Sequence, residues 1–174
     1  MTLTDEVVLL DEAGRPIGVA DKLAVHTADT ALHLAFSCHV YSPSGEVLVT
    51  RRALSKATWP GVWTNSFCGH PAPGESMETA LARRAEFELG IRISDVTVVL
   101  PDFRYRAVDA SGIVENEVCP VFRAVTSDAV AVNPAEVSEF AWVAPESLHA
   151  AAIAAPYAFS PWLGWQLEQL EALD

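Results

Sequence analysis

Short apolar runs separated by polar turns dominate the first third of the chain. Val7–Leu10 and Ile17–Ala20 flank Asp11-Glu12-Ala13-Gly14-Arg15-Pro16, a turn composition, and together predict a hairpin. His33–Tyr41 and Glu46–Arg51 around Ser42-Pro43-Ser44-Gly45 predict a second. Lys22 leads from the first hairpin to His26 and His33, whose separation suits a loop followed by the start of a strand. The pattern changes after Glu75. Met77, Ala80, Leu81, Ala82, Arg83, Arg84, Ala85 and Glu86 are good helix formers, with Ser76 at the position of an N-terminal cap and Gly90 at that of a C-terminal one. Val96–Leu100, the stretch around Phe103 and Tyr105, Val118–Val125 and Phe140–Val143 read as strands. Pro145–Ala154 and Ser160–Leu173 read as helices, with prolines where a first turn tolerates them. Strands, a helix, further strands and closing helices predict an α/β fold, a mixed α+β sheet covered by helices.

A chain of 174 residues, 51% of them hydrophobic, suits one domain over residues 1–174 with a single sizeable core. The net charge of −12 argues against a nucleic-acid partner, because a polyanion needs a basic stripe that this composition cannot spare. An anionic substrate would need local cations. Cys38, Cys68 and Cys119 form no C-x-x-C pair, which fits a reducing compartment better than a disulfide framework. The acidic start lacks a signal-peptide pattern, and Pro156 and Pro161 interrupt the Ala-rich stretch after Leu148, so no run of roughly 20 apolar residues could span a membrane. A cytoplasmic, soluble protein is expected, a monomer or weak homodimer.

Thr64-Asn65-Ser66-Phe67-Cys68-Gly69-His70-Pro71 concentrates the chemistry. On extended backbone Cys68 and His70 leave the same face, which sets a thiol beside a potential metal ligand. Glu115 and Glu117 flank Asn116, and alternation aims both carboxylates one way. Each feature has a plainer reading: Cys68 as a small buried apolar residue, the glutamates as a solvated strand face, Arg84 and Glu88 as an i,i+4 surface pair. His26, His33 and His70 added to the glutamates give three imidazoles and two carboxylates, a set suited to an octahedral divalent metal.

From Gly69, a Glu follows six positions on at Glu75, Arg83 eight later, and then Glu88, Gly90 and Ile91, in the register of a Nudix box. A hydrolytic box would carry acids where this chain has Arg84 and Phe87. With Cys68-Gly69-His70-Pro71 before it and Glu115-Asn116-Glu117 after it, the sequence from Lys22 to Trp162 resembles type I isopentenyl diphosphate isomerase, a family of the Nudix superfamily. The resemblance implies an α/β/α sandwich that converts isopentenyl diphosphate to dimethylallyl diphosphate in isoprenoid biosynthesis. It implies one Mn²⁺, Zn²⁺ or Mg²⁺ on His26, His33, His70, Glu115 and Glu117, and one Mg²⁺ joining Glu88 to the substrate diphosphate. Cys68 and Glu117 would be the proton donor and acceptor on opposite faces of a C5 unit, Tyr105 would orient a proton near Glu117, and Trp162 would face the tertiary cation. Lys22, Arg52, Lys56 and Arg84 would grip the diphosphate. Trp59 and Trp63 would wall the pocket against water, and Arg51 and Arg83 would be structural. A Nudix hydrolase of nucleoside diphosphates, and a non-catalytic prenyl diphosphate or metal binder, are the competing classes.

Overall fold

The computed structural model describes residues 5–173. Its elements run β1 (Glu6–Leu10), β2 (Pro16–Asp21), α1 (Lys22–Val25), β3 (His33–Leu34), β4 (Phe36–Tyr41), β5 (Val47–Arg52), β6 (Trp63–Thr64), β7 (Phe67–Gly69), α2 (Met77–Leu89), β8 (Ser94–Leu100), β9 (Arg104–Val108), β10 (Val114–Val118), β11 (Val121–Val125), β12 (Val137–Val143), α3 (Pro145–Ala154) and α4 (Pro161–Glu171). Two sheets result, one in the order β2-β1-β3-β10-β9, the other β12-β5-β4-β11-β8 with β6 on β5 and β7 on β4. Among the described residues no helix is long and apolar enough to cross a membrane.

Alternation along β4 separates the two faces of the larger sheet. Phe36, Cys38 and Val40 pack with Ala80, Leu81, Ala85 and Leu89 of α2. The opposite face holds Val47, Val49, Leu148 of α3 and Leu163 of α4 in one cluster, and Val121, Leu100, Tyr105 and Trp162 in another. The sheet is therefore sandwiched between helices, as expected. Ser76 caps α2 by accepting from Thr79 N at 3.2 Å, and Gly90 ends it with φ of +63°, a left-handed conformation that glycine adopts without a Cβ penalty.

Two of the expected strands break where they change sheets. Val118–Val125 splits at Cys119-Pro120 into β10 and β11, and His33–Tyr41 splits at Ala35 into β3 and β4. Pro120 cannot donate to a ladder, so the chain leaves one sheet there, while its carbonyl accepts from Ser37 N at 3.2 Å. Both breaks lie side by side: β3 runs parallel to β10, and β4 parallel to β11, with Ala35 N donating to Val118 O at 2.9 Å. This seam pairs His33 with Glu117 in register. The second hairpin also differs from expectation. Its strands are joined at Tyr41 and Val47, then fork to admit β6 and β7. Ser66 sits in the fork, donating to Leu48 O at 2.6 Å and accepting from Val40 N at 2.7 Å. The Thr64–Cys68 motif is thus a wedge inside the sheet.

Gly69 ends that wedge against α2. A Cβ there would fall 2.7 Å from Phe36 Cζ and 2.8 Å from Arg84 Cγ. Gly69→Ala is expected to lower stability by about 1–3 kcal/mol through overpacking. A denaturant midpoint equal to that of the parent protein would show that the neighbours yield freely.

Candidate active site

Three imidazoles reach one point from three elements. Asp21 caps α1 by accepting from Leu23 N and Ala24 N, and the resulting turn lets His26 Nδ1 donate to Lys22 O at 2.9 Å. His33, wholly buried in β3, gives its Nδ1–H to Ala31 O at 2.9 Å. With both Nδ1 hydrogens committed to carbonyls, each Nε2 presents a lone pair. These lone pairs face oxygens: His26 Nε2 is 3.1 Å from Glu115 Oε2, and His33 Nε2 is 3.4 Å from Glu117 Oε1. His70, just after β7, places Nε2 3.0 Å from the same Glu117 oxygen.

One ligand atom from each of His26, His33, His70 and Glu117 lies within 4.8 Å of every other. His33 Nε2 and His70 Nδ1 are buried without a hydrogen-bond partner. Imidazole lone pairs and carboxylate oxygens converging on one point repel unless a cation joins them, so the residues fit a divalent metal. Glu115 stands one contact away. It meets the group through His26, and its other oxygen accepts from Thr58 Oγ1 at 3.0 Å.

Behind these ligands lies a mostly apolar cluster. Tyr105, Cys119 and Trp162 are buried in it, and Cys68 and Trp59 pack against it. Burial pushes the Cys68 thiol up to about 11, against a hydrogen bond from Ser37, so the sulfur holds its proton near neutral pH. Glu117 shows the reverse balance. Burial opposes ionisation, but the His33 and His70 imidazoles beside it hold its carboxyl well below the usual range. Tyr105 donates its O–H to Glu117 Oε2 at 2.8 Å. Burial, with the Glu117 charge beside it, keeps Tyr105 a neutral phenol.

Trp162 enters from the first turn of α4. Its Nε1–H is shared by Thr64 Oγ1 at 3.0 Å and Asn65 Oδ1 at 3.2 Å, and its ring lies 5.7 Å from Tyr105 and 5.2 Å from Trp59. Trp59 has φ of +41°, a costly conformation for a bulky side chain. Asp109 Oδ2 on its N–H and Arg52 on its carbonyl hold it there. Trp63 belongs to the separate α3–α4 cluster.

The four expected diphosphate cations do not form one ring. Lys56 and Arg84 both pair with Glu136, and Arg84 also pairs with Glu88, its Nε 3.1 Å from Glu88 Oε1. Arg84 and Glu88 have side-chain exposures of only 9% and 10%, so the surface-pair reading does not hold. Burial pushes the Glu88 carboxyl up, with Arg84 opposing. Arg52 lies over the Trp162 ring at 5.5 Å, and Lys22 pairs with Asp5 at 3.0 Å. Arg51 and Arg83 anchor loops, through Gly61 O and through Glu75 with His70 O respectively.

The NUDIX domain profile matches residues 31–163. The chain is 63% identical over 167 residues to the isopentenyl-diphosphate Delta-isomerase of Clavibacter michiganensis subsp. michiganensis, spanning 96% of this chain and 86% of that protein. The chain belongs to the NUDIX isopentenyl-diphosphate Delta-isomerase family. The enzyme of the same name from Citrobacter koseri is 58% identical, over 98% of this chain and 94% of its own. A crystal structure from Deinococcus radiodurans superposes with a TM-score of 0.73 at 21% identity, covering 95% of this chain and 98% of its own, which shows the fold alone. In this chain helix α2 buries Arg84 and Glu88 rather than a row of acids. Glu136, Ser37 and Gln166 escaped the sequence reading. Glu136 follows Asn133-Pro134-Ala135 with no helical or strand periodicity to orient it.

Proposed function

We propose that this isomerase moves the double bond of isopentenyl diphosphate by proton transfer from Cys68 and to Glu117, giving dimethylallyl diphosphate. The observation that carries this reading is the protonated Cys68 thiol in the same buried cluster as Tyr105 and Trp162, with Tyr105 bonded to an ionised Glu117. The S–H bond breaks as the alkene π pair forms a C–H bond at the terminal carbon, and the S–H electron pair stays on sulfur. A tertiary cation remains at the branching carbon. Glu117 then takes a proton from the adjacent CH₂, whose electron pair becomes the new double bond, and solvent restores both groups.

The cation has to be tolerated in a site that excludes water. Facing the Trp162 ring stabilises it by about 2 kcal/mol. Oε1 of Glu117 faces His33 and His70, so Oε2, which the Tyr105 O–H holds in place through one lone pair, is the oxygen that takes the substrate proton on its other. Mn²⁺, Zn²⁺ or Mg²⁺ on His26, His33, His70, Glu115 and Glu117 would fix the Glu117 carboxylate and lower its proton affinity. Lys22, Arg52, Lys56 and Arg84 would bind the diphosphate, and Glu88 would be the carboxylate that holds a second ion, Mg²⁺, beside it. The partner is a small prenyl diphosphate. Three free cysteines suit a reducing cytoplasm, where the protein would work as a monomer or weak homodimer.

Incubation with isopentenyl diphosphate in D₂O is expected to give dimethylallyl diphosphate carrying deuterium in a methyl group, with no free phosphate. Phosphate release without an allylic product would replace the isomerase reading by hydrolysis.

A further inference from the structure

Cys68 Sγ has an oxygen on either side. One is Asn65 Oδ1 at 3.3 Å. The orientation of that amide is fixed, because Asn65 Nδ2 donates to Cys38 O at 3.1 Å and Phe67 O at 2.8 Å, so oxygen is what meets the sulfur. A carbonyl oxygen only accepts; it takes the thiol's own hydrogen. The other neighbour is Ser37 Oγ, also at 3.3 Å, directly across the ladder in β4.

Ser37 is buried, and its hydroxyl is aimed from behind. Gln166 of α4, one turn beyond Trp162 and fully buried, donates from Nε2 to Ser37 Oγ at 2.9 Å. Its Oε1 is held by His39 Nε2 at 2.9 Å. His39 is buried in β4, and burial holds it neutral, with Nε2–H as the donor to that amide oxygen. One lone pair of Ser37 Oγ is thus taken by Gln166. Cys119 Sγ lies farther from the hydroxyl, at 3.4 Å. Because the hydrogen of Cys68 points to Asn65, the 3.3 Å contact between Ser37 Oγ and Cys68 Sγ is a hydrogen bond only with the Ser37 O–H as donor.

We propose that Ser37, aimed by Gln166, is the hydrogen-bond donor that holds the Cys68 sulfur as its S–H bond breaks. The inference rests on the reading of Cys68 as the proton donor. At rest the thiol needs no donor, since its own hydrogen is on Asn65. Once the proton has gone to the alkene carbon, the electron pair left on sulfur faces the Asn65 oxygen, an unfavourable contact, and the Ser37 O–H is already in place to offset it. Both are positioning residues that act through Cys68. Because the contact strengthens as charge develops, it acts on kcat rather than on substrate binding.

Steady-state kinetics of the metal-loaded protein tests this. Ser37→Ala is expected to lower kcat roughly ten- to a hundredfold, at or below the cost of a lost oxyanion donor, with KM unchanged. Ser37→Thr, which keeps the hydroxyl, should recover most of the loss. Gln166→Glu puts an acceptor where the donor was and turns the Ser37 hydroxyl away from sulfur. It should lower kcat as far, and add nothing in the Ser37→Ala background. Unchanged kcat in Ser37→Ala alongside an inactive Cys68→Ala overturns the inference and leaves the acid assignment standing. A fully active Cys68→Ala overturns the assignment itself. A Ser37→Ala loss that tracks lower thermal stability, with Gln166→Glu neutral, reduces Ser37 to packing and also overturns the inference.

Discussion

Cys68→Ala is expected to lower kcat by on the order of 10²–10⁴-fold, the range lost when a proton-transferring group is removed. Bound metal should stay at its parental level, because Cys68 is not among the four converging ligands. Folding should also survive. The sulfur is small and makes its polar contacts with Asn65 and Ser37, whose other partners persist. The measurement is turnover of isopentenyl diphosphate set beside elemental analysis and a melting curve. Cys68→Ser sharpens it, since a hydroxyl preserves both hydrogen bonds but holds its proton more tightly, and activity should fall between the parent and the alanine variant. Full activity in Cys68→Ala would remove the thiol from the reaction and leave Tyr105 and Glu117 to move both protons.

Glu117→Gln is expected to be as damaging and to differ in kind. The carboxylate is the shared partner of His33, His70 and Tyr105, so the amide removes the proton acceptor and a member of the ligand group together. We expect kcat to fall by at least about 10²-fold and bound transition metal to drop below stoichiometry. Glu115→Gln separates the two effects. Glu115 faces the His26 Nε2 lone pair and takes no proton in the reaction, so its loss should lower bound metal, and excess metal should restore turnover. Glu117→Gln with normal metal content would show that the imidazoles hold the ion without it.

Where local chemistry decides the structure, the sequence was a sufficient guide. Ser76 and Gly90 mark the two ends of α2 because capping is a contest among neighbouring residues. The NUDIX register and the family resemblance likewise brought Cys68, His70, Glu117, Tyr105 and Trp162 into view, and the fold gathers them. The seam at Ala35 and Cys119-Pro120 was illegible because an apolar run looks alike whether its halves share a sheet or part between two. Only Pro120 hinted at the break. The buried setting of Arg84 and Glu88 depends on Lys56 and Glu136, which come from distant loops. Ser37, an unremarked polar residue inside an apolar strand, is the position where the alternation rule pointed: it faces α4 with His39, away from the α2 core.

Trp162 joins the cluster against which Cys68 packs from a helix that lies far beyond it in the sequence. At synthesis rates of roughly 5–20 residues per second, the ribosome delivers that ring on the order of ten seconds after the thiol has been made. Until then the nascent chain carries a cysteine open to oxidants, and afterwards a half-buried one, so damage to this residue should fall more heavily on molecules still being translated.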